Sequence, residues 1–127
     1  MTLNDFRQEM ILYRLDADKE AKSFKDPYIT LERLHSLYEK LCDSEKVMAN
    51  RVFAEWALSE SEGIRFDALA MIDDFEISEA MPTLQELTKR LESSTAPSAP
   101  YEIKKVHRLI IKLTVLRQTT QNNNGVH

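Results

Sequence analysis

Glycine is almost missing from this chain of 127 residues, which has only Gly63 and Gly125. Phosphate-cradling loops need clustered glycines, and tight β-hairpins favour them. Two isolated glycines exclude the first and argue against a β-rich fold. Cysteine is rarer still. With Cys42 alone no intrachain disulfide can form, which fits a reducing, cytoplasmic setting. No HExxH, CxxC or GxSxG pattern occurs. No run approaches the roughly 18 uninterrupted apolar residues of a membrane span. The N-terminus, MTLNDFRQEM, lacks the basic-then-apolar order of a secretory signal.

What is present suits a helical globular chain. Apolar residues make up 43 % and charged residues 30 %, too apolar for a disordered chain. Apolar spacing predicts six helices. The first runs over 3–24, with Thr2 or Asn4 as cap and Phe6, Met10, Tyr13 and Ala17 on one face; KDP at 25–27 ends it. The second follows Thr30 as N-cap and carries Leu31, Leu34, Leu37, Tyr38 and Leu41. The third, capped by Asp43 or Ser44, turns Val47, Met48, Val52, Phe53 and Trp56 inward. The fourth follows the acidic connector SESEG, with Ile64, Ala68, Leu69, Met71, Ile72 and Phe75 as its buried face. Pro82 opens the fifth, striped by Leu84, Leu87 and Leu91, and Pro100 opens the sixth, with Ile103, Val106, Leu109, Ile110 and Leu113. The fold class expected is all-α, built of stacked antiparallel helical hairpins. Helix 2 pairs with helix 3 and helix 4 with helix 5, and helices 1 and 6 close the ends. One domain spans 1–118, followed by a polar, disordered tail over 119–127.

Within 64–91, Ile64, Arg65, Ala68, Leu69 and Ile72 are followed by Ala80, Pro82, Leu84 and Leu87. This order resembles one unit of the HEAT-like helical repeats. There an aliphatic–Arg pair opens one helix and a proline opens the next. The resemblance implies an α-solenoid and a structural role for Arg65, paired with a nearby acid.

Candidate chemistry is sparse. His35, His107 and His127 are scattered with no partner nearby in sequence, so they read as surface histidines rather than bases. Cys42 reads as a small buried hydrophobe. Asp73, Asp74, Glu76 and Glu79 form the densest carboxylate cluster, but lack the alternating spacing and central glycine of a calcium loop. No catalytic residue, metal or cofactor is implied, and the chain reads as a non-enzyme. Trp56 reads as core. Lys104, Lys105, Arg108 and Lys112 give helix 6 a basic face without aromatic interleaving, which reads as a solvated surface.

Charge is uneven. Residues 43–80 hold three basic and ten acidic side chains, whereas 81–127 hold seven basic and three acidic. An acidic middle argues against nucleic acid there and suits a basic protein partner. The leading expectation is a non-catalytic protein-binding module that neutralises a cognate partner. Its size, charge and fold resemble those of bacterial immunity proteins, which block a toxin, here a basic, nuclease-type domain. The surface would be Glu55, Glu60, Glu62, Asp73, Asp74, Glu76 and Glu79. Two alternatives stand beside it. One is a HEAT-like scaffold holding a peptide or helix in an apolar groove. The other is a nucleic-acid binder using the basic face of the last helix.

Overall fold

A computed structural model describes residues 1–124, and the side chains of residues 1–119. Among the described residues there are six α-helices and no strand. They are α1 (Leu3–Phe24), α2 (Tyr28–Lys40), α3 (Asp43–Trp56), α4 (Glu62–Asp74), α5 (Met81–Glu92) and α6 (Ala99–Asn124), with a 3-10 turn over Ser78–Ala80. The expected all-α class with six helices is met. Among the described residues no helix is long and apolar enough to cross a membrane.

Local chemistry sets the helix ends. The Asp5 N–H donates to Thr2 Oγ1 at 3.1 Å, and the Asp5 carboxylate takes the Thr2 N–H in return. Ser61 caps α4 by accepting from the Ile64 N–H at 3.4 Å. The helices α1 and α4 close through Lys25 (φ 54°) and Glu76 (φ 52°), both left-handed. One residue further, Asp26 N–H donates to Ala21 O at 2.9 Å and Ile77 N–H to Ile72 O at 3.0 Å. These are the six-to-one bonds of a Schellman ending, a position that favours glycine.

Two caps differ from expectation. Helix α2 starts at Tyr28, directly after Pro27, so Thr30 lies inside the helix and is buried. Proline fixes a helix-compatible φ and needs no donor at a helix start, so the helix can begin there. Helix α3 is capped by Cys42 rather than Asp43 or Ser44, because Glu45 reaches back to the Cys42 N–H at 3.0 Å. That position leaves Cys42 exposed, not buried as expected.

The core gathers around α3, which packs against α1, α4, α5 and the 3-10 turn. Its inward face is Ala49, Val52, Phe53 and Trp56, an i, i+3, i+4, i+7 stripe. Val47, expected in that stripe, is 64 % exposed. Two residues along a helix turn the side chain roughly 200° away, so Ala49 and Val47 cannot share a face. Trp56 is buried as expected, against Phe53 at 5.6 Å between ring centroids.

The pairing of helices is shifted by one from expectation. The close pairs are α1 with α2, α3 with α4, and α5 with α6. The expected pairs, α2 with α3 and α4 with α5, are not closely packed. The stretch 64–91 therefore straddles two hairpins. Sequence cannot separate these registers, because every connection is short enough to make a hairpin. Contacts between the later hairpins recur at a nearly constant spacing. Arg65 meets Glu102, Lys105 covers Phe66 and Lys112 meets Asp73, which are 37 to 39 residues apart. Increasing number pairs with increasing number, so α4 and α6 run parallel. His35 of α2 and Asp74 of α4 are also 39 apart. Helix α6 continues to Asn124, into the stretch read as a tail, and 125–127 lie outside the described residues.

Candidate functional site

Helices α4 and α6 meet through side chains, and between them lies a groove of about 430 Å³. The α4 wall is Glu62, Phe66, Leu69, Ala70 and Asp73. The α6 wall is Tyr101, Glu102, Lys105, Arg108, Leu109 and Lys112. Both sets follow the spacing of one helix face, with main steps of four, three and four residues. Each face covers three turns, about 16 Å. Phe66 is 48 % exposed and Tyr101 is 71 % exposed. Phe24 and Tyr28 are also open to solvent, but neither lines this groove, whereas Phe66 and Tyr101 stand on its opposite walls.

Ion pairs hold the walls. Near one end Arg65 Nε and Nη2 donate to the Glu102 carboxylate at 2.7 and 3.1 Å, while Nη1 donates to the carbonyls of Ser59 and Glu60 at 2.9 and 3.0 Å. The hydrogen bond to Glu102 raises the Arg65 pKa above its ordinary value. This bears out the structural pairing expected of Arg65. At the other end Lys112 Nζ donates to Asp73 Oδ1 at 2.6 Å and to the Asp73 carbonyl at 3.0 Å. That bond raises the Lys112 pKa. In the middle Lys105 Nζ lies over the Phe66 ring, 5.5 Å from its centroid.

The seven acidic residues expected as a partner surface do not form one patch. Glu60 and Glu62 flank the start of α4, and Asp73, Asp74 and Glu76 its end, about 20 Å away. Three are bound internally: Glu55 by Arg7 at 2.8 Å, Asp73 by Lys112, and Asp74 by His35 Nε2 at 2.7 Å. Asp73 and Asp74 sit at a helix C-terminus, where carboxylates are disfavoured, and these partners compensate. Among the described residues Glu60, Glu62, Glu76 and Glu79 form no ion pair and are exposed. Two of the seven, Glu62 and Asp73, line the groove.

A second charged feature lies between α1 and α4. Arg14 Nε and Nη2 bind Asp67 Oδ2 at 2.9 and 2.8 Å, both side chains nearly buried. Burial raises the Asp67 pKa against the opposing pull of Arg14. Among the described residues no group of three or more metal-binding side chains converges.

Phe66, Leu69, Ala70 and Tyr101 escape a sequence reading of the site because the groove depends on the parallel register of α4 and α6. One signal was available. Phe66 interrupts the polar side of its helix, off the Ala68, Met71 and Ile72 stripe. Tyr101 supplies the aromatic among the lysines of the last helix that the nucleic-acid alternative lacked. No protein-family model, curated protein or solved structure matches the chain.

Proposed function

We propose that this chain is a non-catalytic protein-binding module whose α4–α6 groove holds a peptide or helix of a partner protein. One observation carries the reading: Phe66 and Tyr101 stand exposed on facing walls that ion pairs fix in place. Exposed aromatic side chains on a rigid surface are typical anchors of protein interfaces. A groove of three helical turns suits the apolar face of a short amphipathic helix. The spacing of 37 to 39 residues between contacts supports a repeat stack of the HEAT-like kind as its scaffold. A reducing, cytoplasmic setting belongs to the same proposal, since Cys42 is free.

Neutralisation of a basic toxin, as immunity proteins do, is the second reading. It is favoured by Glu76 and Glu79, exposed beside Asp73 and Asp74 and free of ion pairs among the described residues.

Affinity capture from lysate of the source cells separates the two. The bait is the wild-type chain, Phe66→Ala/Tyr101→Ala, or Glu76→Lys/Glu79→Lys. A protein partner lost only with the first variant supports the groove. A basic partner lost only with the second replaces that reading with neutralisation.

A further inference from the structure

The charges of the groove say what kind of segment it takes. Register places Glu62 opposite Tyr101, Phe66 opposite Lys105, Leu69 opposite Arg108 and Asp73 opposite Lys112. Two of the three carboxylates on the walls are already bound, Glu102 by Arg65 and Asp73 by Lys112. Glu62 remains at one end. In the middle, Lys105 and Arg108 form no ion pair among the described residues and are exposed. The central groove is therefore apolar on the α4 side and cationic on the α6 side.

We infer that the occupant is an amphipathic segment of a partner protein whose apolar anchors face Phe66 and Leu69 and whose acidic residues face Lys105 and Arg108. The inference rests on the groove being the binding surface. It runs opposite to the basic partner that the acidic middle of the sequence suggests, because internal pairing has consumed two of the three acids of these walls and leaves only Glu62, at one end. Lys105 and Arg108 are three residues apart, about 4.5 Å along the helix, which matches acids three or four residues apart on a helical segment. Surface charge pairs contribute little affinity singly, yet like-charge juxtaposition strongly disfavours the wrong partner, so the charges set preference. Single-stranded nucleic acid needs a longer track of cations beside its stacking platforms. Two cations without an ion pair, ending at Glu62, do not supply it.

A displayed library of helical 16-residue peptides tests this. Apolar residues are fixed at one face, and the flanking positions vary among Glu, Gln and Lys. Selection on the wild-type chain is expected to enrich Glu over Lys at least tenfold on one flank. Lys105→Glu/Arg108→Glu is expected to reverse that preference, and Phe66→Ala/Tyr101→Ala to weaken the selected peptide at least tenfold. Matching circular dichroism and melting curves show that each variant folds. Peptides flanked by Lys or Gln that still require Phe66 and Tyr101 would overturn the inference and leave the groove standing. Absence of any peptide dependent on those two aromatics would overturn both. So would a single-stranded oligothymidylate that binds there more tightly than every peptide.

Discussion

Arg65 and Glu102 join the last two hairpins by a forked, nearly buried ion pair, with Arg65 Nε 2.7 Å from Glu102 Oε1. The same guanidinium holds the carbonyls of Ser59 and Glu60, so one side chain fixes the α3–α4 connection, α4 and α6 together. Only arginine offers donors in this fixed fork.

Removing either end of the pair is expected to destabilise the fold. Arg65→Ala leaves the Glu102 carboxylate without its partner and should cost about 3 kcal/mol. Arg65→Lys keeps the charge but not the fork, and should cost about 1–2 kcal/mol. Urea unfolding of both variants against wild type measures the difference.

The Arg14–Asp67 pair predicts a pH signature. Burial holds Asp67 above its ordinary value in the folded state. Folding therefore favours its protonated form, and that contribution is lost as pH rises through the folded value. Arg14→Met removes the cation that opposes this shift, and the Asp67 pKa should climb further. The loss should reach about 3 kcal/mol near neutral pH and shrink on acidification through the carboxylate range. Arg14→Met/Asp67→Leu should recover most of it, since no buried charge is left alone. Urea midpoints of the three proteins from about pH 4 to pH 8 check both sign and size.

Asp73 is expected to matter more for binding than for folding. Its pair with Lys112 is close to half exposed on both sides, so Asp73→Asn should change stability by less than about 1 kcal/mol. The substitution frees Lys112 and makes the groove more cationic. An acid-flanked peptide should bind the variant more tightly than wild type, as read by fluorescence anisotropy.

Glu76 closes α4 in the left-handed region without glycine's freedom. Glu76→Gly should raise stability by about 0.5–1 kcal/mol, visible as a higher melting temperature. If Glu76 contributes to an acidic partner surface, the same variant is stabler yet binds more weakly. On the groove reading its binding is unchanged.

Most of the secondary structure is legible in the sequence because each helix carries its own periodic apolar face. Leu84, Leu87 and Leu91 are predicted inward and are buried, and Pro82 marks the first turn of α5. Errors arise where neighbouring residues compete for a face. Ala49 is a weak apolar signal beside Val47, and the smaller residue takes the core. Pairing of helices is not legible, since connections of two to six residues permit either neighbour. Of the site, the basic residues of α6 can be read but their role cannot. Whether Lys105 and Arg108 lack an ion pair, and Lys112 and Asp73 have one, depends on contacts 39 residues apart. Net charge per segment misleads for the same reason. The ten acids of 43–80 include Glu55, Asp67, Asp73 and Asp74, each already held by a partner from another helix.

Site-specific photocrosslinking in the source cells shows whether a partner occupies the α4–α6 groove. A benzophenone amino acid replaces Phe66, Tyr101, Tyr28 or Val47 in turn, all exposed in the folded chain. One shared protein partner is expected to crosslink from positions 66 and 101 and to be absent from 28 and 47. A partner captured from 28 or 47 but from neither groove position would contradict occupancy of the groove.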